Sequence, residues 1–158
     1  MEGVRVVVQG FGAEGKHTAS FLRDKGAMLV CVADSRGTIY NPKGLDIEAL
    51  IELKKAGKSV ADYLDGKKLD RDAVINIECD IWIPAAQPDV IDENNVNLLE
   101  TKLVIEGANI PLPDGAEIHL LEKCGLYLPD FIANACGVIC AAMEYQGTGQ
   151  SAAFQAIV

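Results

Sequence analysis

Positive charge is in short supply. Against 23 acidic residues the chain has 14 lysines and arginines, for a formal net charge of −9. That balance argues against nucleic acid and against an anionic membrane surface as partners. Long apolar runs are missing too. The most apolar stretch, "FIANACGVICAAM", is too short to span a bilayer and carries Asn134. The start has no charged segment leading into an apolar core, so no secretory signal is read and a cytoplasmic location is the expectation. Metal-ligand spacing is also lacking. Cys136 and Cys140 are four apart, but His17 and His119 supply no matching pair, and no metal site is expected. The five cysteines, an odd number at irregular spacing, read as small buried thiols in a reducing compartment. No internal repeat and no low-complexity tract is visible.

What remains is a globular composition, 49% hydrophobic over 158 residues. Such a length allows one domain, 1–158, to bury roughly two-thirds of its unfolded surface without a disulfide or metal. Apolar runs alternate with amphipathic segments. Val4–Gln9 and Met28–Ala33 are β-branched runs of the kind found in strands covered on both faces. Strand character returns in "CDIWIPAA", "KLVIEGA" and "GLYLP". Between them, Glu14–Lys25 predicts a helix ending at Gly26, and Asp46 caps another that carries Ile47, Leu50 and Ile51. Ser59 to Asp62 is a small capping box. "YLDGKKLDRDAVINIE" is polar and turn-rich and reads as a surface excursion. Asp92–Leu99, Asp114–Lys123 (with Asp114 and Glu117 as a capping box), Asp130–Tyr145 and the final "TGQSAAFQAIV" are expected to be helical. Strand–helix alternation of this kind gives right-handed crossovers, hence an α/β, doubly wound, mostly parallel sheet with helices on both faces.

The stretch "GFGAEG" follows the first strand and opens the first helix. In that context Gly10 allows the tight turn, Gly12 lets backbone approach a pyrophosphate, and Gly15 lets helix and strand pack closely. The helix start presents unpaired N–H groups and a positive dipole end to phosphate. Asp34 ends the second strand, 19 residues after Gly15, where a carboxylate can hold a ribose hydroxyl pair. A phosphate-free turn in an unrelated α/β protein is the bland alternative. Glu14, beside a bound pyrophosphate, needs either solvent or a neighbouring group. Lys16 can offset it or simply be solvated. Asp34 favours NAD, whereas Arg36, two residues on, can pair with the 2′-phosphate of NADP or be an exposed turn residue. NAD stands slightly ahead, with dual use open.

Four further segments, "DSRGTIYNPKGLD" (34–46), "CDIWIPAAQPDVI" (79–91), "LVIEGANIPLPDGAE" (103–117) and "LPDFIANACGVICAAMEYQG" (128–147), together resemble the C-terminal, cofactor-binding (Rossmann) domain of the glutamate/leucine/phenylalanine/valine dehydrogenases. The likeness covers nearly the whole chain and is strongest to the glutamate enzymes. It implies reversible, NAD(P)-dependent oxidative deamination of an L-amino acid to a 2-oxo acid and ammonium. By that resemblance Gly10, Phe11, Gly12, Ala13, Glu14 and Gly15 form the pyrophosphate loop, and Asp34 and Ser35 meet the adenosine ribose. Ala85 and Ala86 pass the nicotinamide side, and Asn109 and Asn134 match the amides that bind the nicotinamide ribose and carboxamide. Trp82, the only tryptophan, precedes "PAA" and is expected near the cofactor cleft.

Two departures stand out. Cys136 replaces a glycine of the family's usual "NAGGV", a small change. Ala141 stands where glutamate enzymes commonly have a serine near the substrate's distal carboxylate, which puts glutamate specificity in question. By the resemblance, the family's catalytic lysine and aspartate belong to an N-terminal substrate domain that is expected to lie outside these 158 residues, so no catalytic residue is assigned. The expectation is a cofactor domain that binds NAD or NADP without turnover. The amino acid or 2-oxo acid would be held by the missing domain, the full-length protein would be a hexamer, and this chain alone a monomer or weak dimer. A free-standing NAD(P)-sensing module is the competing reading, although "PAA", "GAN" and "PDFIANACGV" are nicotinamide-side features that a sensor of adenine nucleotides would not use.

Overall fold

A computed structural model describes residues 1–88, 90–109 and 116–157. Its frame is a seven-stranded sheet of β1 (Arg5–Gln9), β2 (Met28–Asp34), β3 (Gly37–Tyr40), β4 (Lys67–Leu69), β5 (Ile81–Pro84), β6 (Leu103–Ile105) and β7 (Leu126–Leu128). The spatial order is β4-β3-β2-β1-β5-β6-β7. β1 pairs in parallel with both β2 and β5, and β5, β6 and β7 continue in parallel. The expected doubly wound α/β fold is therefore present, with β3 and β4 added as an antiparallel flank.

Alternation along β1 shows why the sheet is covered twice. Val6 and Val8 face one apolar cluster with Ala19, Ile47, Leu50 and Val60, under α1 (Ala13–Asp24) and α2 (Ile47–Lys55). Val7 faces the other, with Trp82, Val74, Ile75, Leu99, Leu120 and Cys124, under α3 (Ala116–Cys124). The period of two puts consecutive valines on opposite faces, so an unbroken apolar run is what a central strand requires. Gly26 takes φ +88 past the end of α1, as an αL stop demands. The Asp46 side chain accepts from the Ala49 N–H at 3.0 Å and caps α2.

Several expectations change. The "surface excursion" contributes the edge strand β4, guarded by exposed Lys67 and Lys68, and a 3₁₀ segment (Arg71–Asn76) that buries Val74 and Ile75. Lysines on an edge strand read as loop composition. Asp92–Leu99 is not an α-helix. Asp92 accepts from the N–H groups of Asn94 and Asn95, Asn95 answers by accepting from the Asp92 N–H, and only Val96–Leu98 turns, as 3₁₀ helix. Local Asp and Asn hydrogen bonds compete with helix formation in this way. Ser59 forms its capping box with Asp62, but on a three-residue 3₁₀ turn. Asp130–Tyr145 divides at Asn134 into α4 (Asp130–Ala133) and α5 (Ala135–Tyr145), followed by α6 (Gln150–Ile157). Asp114 lies outside the described residues, so the capping box expected with Glu117 falls there too.

Cys31, Cys79 and Cys124 are buried free thiols, whereas Cys136 is exposed and Cys140 half-buried, contrary to a uniformly buried set. Burial pushes the Cys31 thiol far up and raises that of Cys79 to about 11, leaving both unreactive. Among the described residues no helix is long and apolar enough to cross a membrane, and no cluster of three His, Cys, Asp or Glu side chains is placed to hold a metal.

Candidate functional site

The order in which strands are added reverses at β1, which has β2 on one side and β5 on the other. The carboxyl ends of the strands at such a reversal are where open α/β sheets bind ligands. Backbone bonds tie the rim together. The Gly10 N–H donates to the Ala33 carbonyl at 3.0 Å, and the Ala85 N–H donates to the Gln9 carbonyl at 2.7 Å. A cleft of about 480 Å³ opens above, within the usual range for small-molecule sites.

Most of the expected loop is on its wall. Gly10, Phe11, Gly12, Ala13 and Glu14 line the cleft, with Asp34, Ser35, Ala85 and Ala86. Gly10 has φ +108, and a Cβ there would stand 2.6 Å from Ala86 Cβ and 2.8 Å from the Ala85 carbonyl. Only glycine fits. Gly15 does not line the cleft. A Cβ on it would overlap the Gly10 carbonyl oxygen and crowd Val8, so its role is the close seating of α1 on β1. A Cβ on Gly12 would meet nothing within 4 Å. Gly12 is the N-cap of α1 and supplies no side-chain cap, which leaves the first N–H groups of the helix unoccupied by protein side chains.

Glu14 is exposed and is not paired with Lys16. Its carboxylate lies across the loop against Gly107, where a Cβ would overlap Oε1. Partial burial raises the Glu14 carboxyl above its ordinary value. Arg36 is off the cleft wall, with Nη2 donating to the Gly57 carbonyl at 3.0 Å. Asn109 and Asn134 also stand off the lining, but the structure joins them: Asn134 Nδ2 donates to Asn109 Oδ1 at 2.8 Å. Trp82 is not near the opening. It is fully buried in the core, and its Nε1 donates to the Val74 carbonyl at 3.2 Å.

Asp34 is the most heavily engaged residue of the set. Oδ1 accepts from the Arg36 N–H (2.9 Å) and Ser59 Oγ (2.7 Å). Oδ2 accepts from Lys54 Nζ (2.8 Å) and the Val60 N–H (3.0 Å). Burial pushes this carboxyl up, but the four donors outweigh it and hold it at about 2.

Five wall residues went unread in the sequence: Gln9, Ala33, Lys54, Arg71 and Gln87. Gln9 was legible in principle, because a polar residue ending a buried valine strand immediately before Gly10 calls for a partner. Its side chain is buried, and Oε1 has no hydrogen-bond partner among the described residues. Lys54 and Arg71 are brought in by tertiary folding from 20 and 37 residues beyond Asp34, and no local pattern announces them.

A sequence profile of the Glutamate/Leucine/Phenylalanine/Valine dehydrogenase family matches residues 1–156. The chain is 42% identical over 145 residues to the glutamate dehydrogenase of Aeropyrum pernix, covering 92% of this chain and 35% of that protein. It is 37% identical over 145 residues to the NADP-specific glutamate dehydrogenase of Saccharolobus shibatae, covering 92% and 34%. Both NAD-specific and NADP-specific enzymes occur among the relatives. The fold superposes on the hetero-hexameric glutamate dehydrogenase of Thermus thermophilus in its Leu-bound form with a TM-score of 0.85 at 27% identity, over 99% of this chain and 38% of that one. The chain thus spans about a third of the length of the curated relatives it matches. By sequence and by fold, it belongs to the glutamate/leucine/phenylalanine/valine dehydrogenase family.

Proposed function

We propose that residues 1–158 form the NAD(P)-binding domain of an amino-acid dehydrogenase of the glutamate type, which interconverts an L-amino acid with a 2-oxo acid and ammonium. The observation that carries this reading is the start of α1. Gly10 and Gly15 bring the loop and helix as close to the sheet as backbone allows, and Gly12 leaves the helix N-terminus uncapped at the cleft. A pyrophosphate accepts from such N–H groups and is stabilised by the dipole.

NAD(P), when bound, accepts or supplies the hydride. This chain's own residues bind and orient it. Gly10–Glu14 hold the phosphates, and Ser35 with its neighbours lines the adenosine side. Ala85 and Ala86 form a flat wall, and the Asn109–Asn134 pair offers amide groups to the nicotinamide ribose and carboxamide. Hydride transfer also needs the substrate held in near-attack geometry. We assign that task, and the catalytic groups, to the two thirds of the relatives that lie outside the match, so this chain alone binds cofactor without turnover. It would be a monomer or weak dimer by light scattering, with hexamer formation belonging to the full-length protein.

Titration of the purified chain with NADH, followed by the nucleotide's own fluorescence, tests the reading. Saturable one-to-one binding, lost on adding excess NAD, is expected. The absence of any dinucleotide binding would overturn it. Trp82 emission is the poorer probe, because the ring reports on the cleft only through its bond to Val74 and the segment that begins at Arg71.

A further inference from the structure

An acid at the end of the second strand is usually taken as a ribose ligand that favours NAD. That role needs free lone pairs, and Asp34 has none to spare. A carboxylate offers about four acceptor sites. Here they are filled by Arg36 N–H, Ser59 Oγ, Lys54 Nζ and Val60 N–H, all within 3.0 Å. The Asp34 side chain is only 6% exposed. Its charge is spent on joining the β2–β3 turn, the end of α2 and the Ser59 turn.

The same wall carries two cations. Lys54 is the partner of Asp34, yet it lines the cleft with its side chain 31% exposed, and an ammonium has three donors. Arg71 lines the cleft too. Its Nε and Nη2 are paired with Asp72, which leaves Nη1 outside that pair. The segment is fixed in place because Thr38 Oγ1 donates to the Arg71 carbonyl at 2.9 Å. Ser35, next to Asp34 in the chain, lines the same wall. The other acid on the wall, Glu14, is an exposed residue at the opposite, loop end, with Oε1 turned towards Gly107.

We propose that this end of the cleft reads a 2′-phosphate. Lys54 and Arg71 are the specificity-determining residues, and the domain takes NADP(H) at least as tightly as NAD(H). The inference rests on the dinucleotide reading above. It differs from the sequence rule because Asp34, sealed by four donors, neither draws a 2′-hydroxyl nor presents bare charge to a phosphate.

The test is calorimetric titration of the 158-residue chain with NADH, NADPH, 5′-ADP and 2′,5′-ADP. NADPH is expected to match or exceed NADH, and 2′,5′-ADP to exceed 5′-ADP. Arg71→Gln should weaken NADPH roughly tenfold and leave NADH within about twofold, as loss of one charge-assisted phosphate contact does. Lys54→Gln should do the same. Because it also frees Asp34, circular dichroism must show that variant folded, and Arg71→Gln carries the test without touching that network. NADH binding tenfold tighter than NADPH would overturn the proposal alone, as would equal weakening of both nucleotides by Arg71→Gln. Failure of every nucleotide to bind would overturn it together with the dinucleotide reading.

Discussion

The two halves of the sheet's carboxyl edge are finished in opposite ways. On the β2 side, polar groups close on one another: Asp34 satisfies four donors and joins the β2–β3 turn to the end of α2. The strands beneath are among the most buried in the chain. On the far side, α4 and α5 have no buried residue at all. Phe131, Val138 and Tyr145 stand in the open there, Tyr145 at 95% exposure. The β2 side holds itself together, while the C-terminal helices leave apolar surface and a bare amide pair, Asn109 and Asn134, uncovered. Local stability follows packing density. Amide exchange should therefore be slowest in β1 and β2 and fastest in α5 and α6.

The sharpest break in that contrast is a single methyl group on the first side. Gly15→Ala places a Cβ on the Gly10 carbonyl oxygen, a backbone atom that cannot yield without moving the whole loop. The cost is expected at about 3 kcal/mol, at the upper end for overpacking, with dinucleotide binding lost. A shift in the urea midpoint measures it. An unchanged midpoint would mean that α1 is not seated as tightly as described.

Acid comes next. The folded Asp34 carboxyl sits at about 2, below its ordinary value of 3.8. Its contribution is therefore fully present above pH about 4 and is lost as pH falls from 4 towards 2. Nearly two units on a buried side chain are worth about 2 kcal/mol. Asp34→Asn should remove that fall in stability over pH 4 to 2 while lowering stability at neutral pH. An identical acid limb in the variant would show that the four donors contribute nothing net.

The same contrast governs what could be read before folding. The parallel frame was legible from Val6–Val8 and Met28–Ala33, because strands covered on both faces must be apolar at every position. The helix stops and caps at Gly26, Asp46 and Ser59 were legible because their chemistry is local. β3 and β4 were not. The first depends on a two-residue turn in which the Arg36 N–H bonds back to Asp34, and the second on lysines that look solvated. Nor was the condition of Asp34 visible, since three of its four donors arrive from 20, 25 and 26 residues away. Spacing placed the acid at the cleft, but only tertiary contacts decide whether it still has anything to offer a ligand.

A smaller effect is expected at the open side. Asn109→Ala removes one partner of a hydrogen-bonded amide pair. If the pair serves the nicotinamide, NADH affinity should fall about fivefold, the worth of roughly one hydrogen bond, with 5′-ADP unchanged. Equal losses for both nucleotides would contradict that assignment.

The smallest change is also the most telling, because it repeats the first substitution in the other region. Gly137 lies inside α5, exposed, and a Cβ there would meet nothing within 4 Å. Alanine in an exposed helix interior is better than glycine by about 0.5–1 kcal/mol. Gly137→Ala should therefore stabilise what Gly15→Ala wrecks. α5 shares little packing with the core, so the gain belongs to the local opening of that helix. It should slow amide exchange in α5 severalfold while the urea midpoint of the sheet barely moves. The same gain in both measurements would show the two regions unfolding as one cooperative unit, with the exposed helices held far more firmly than their surface suggests.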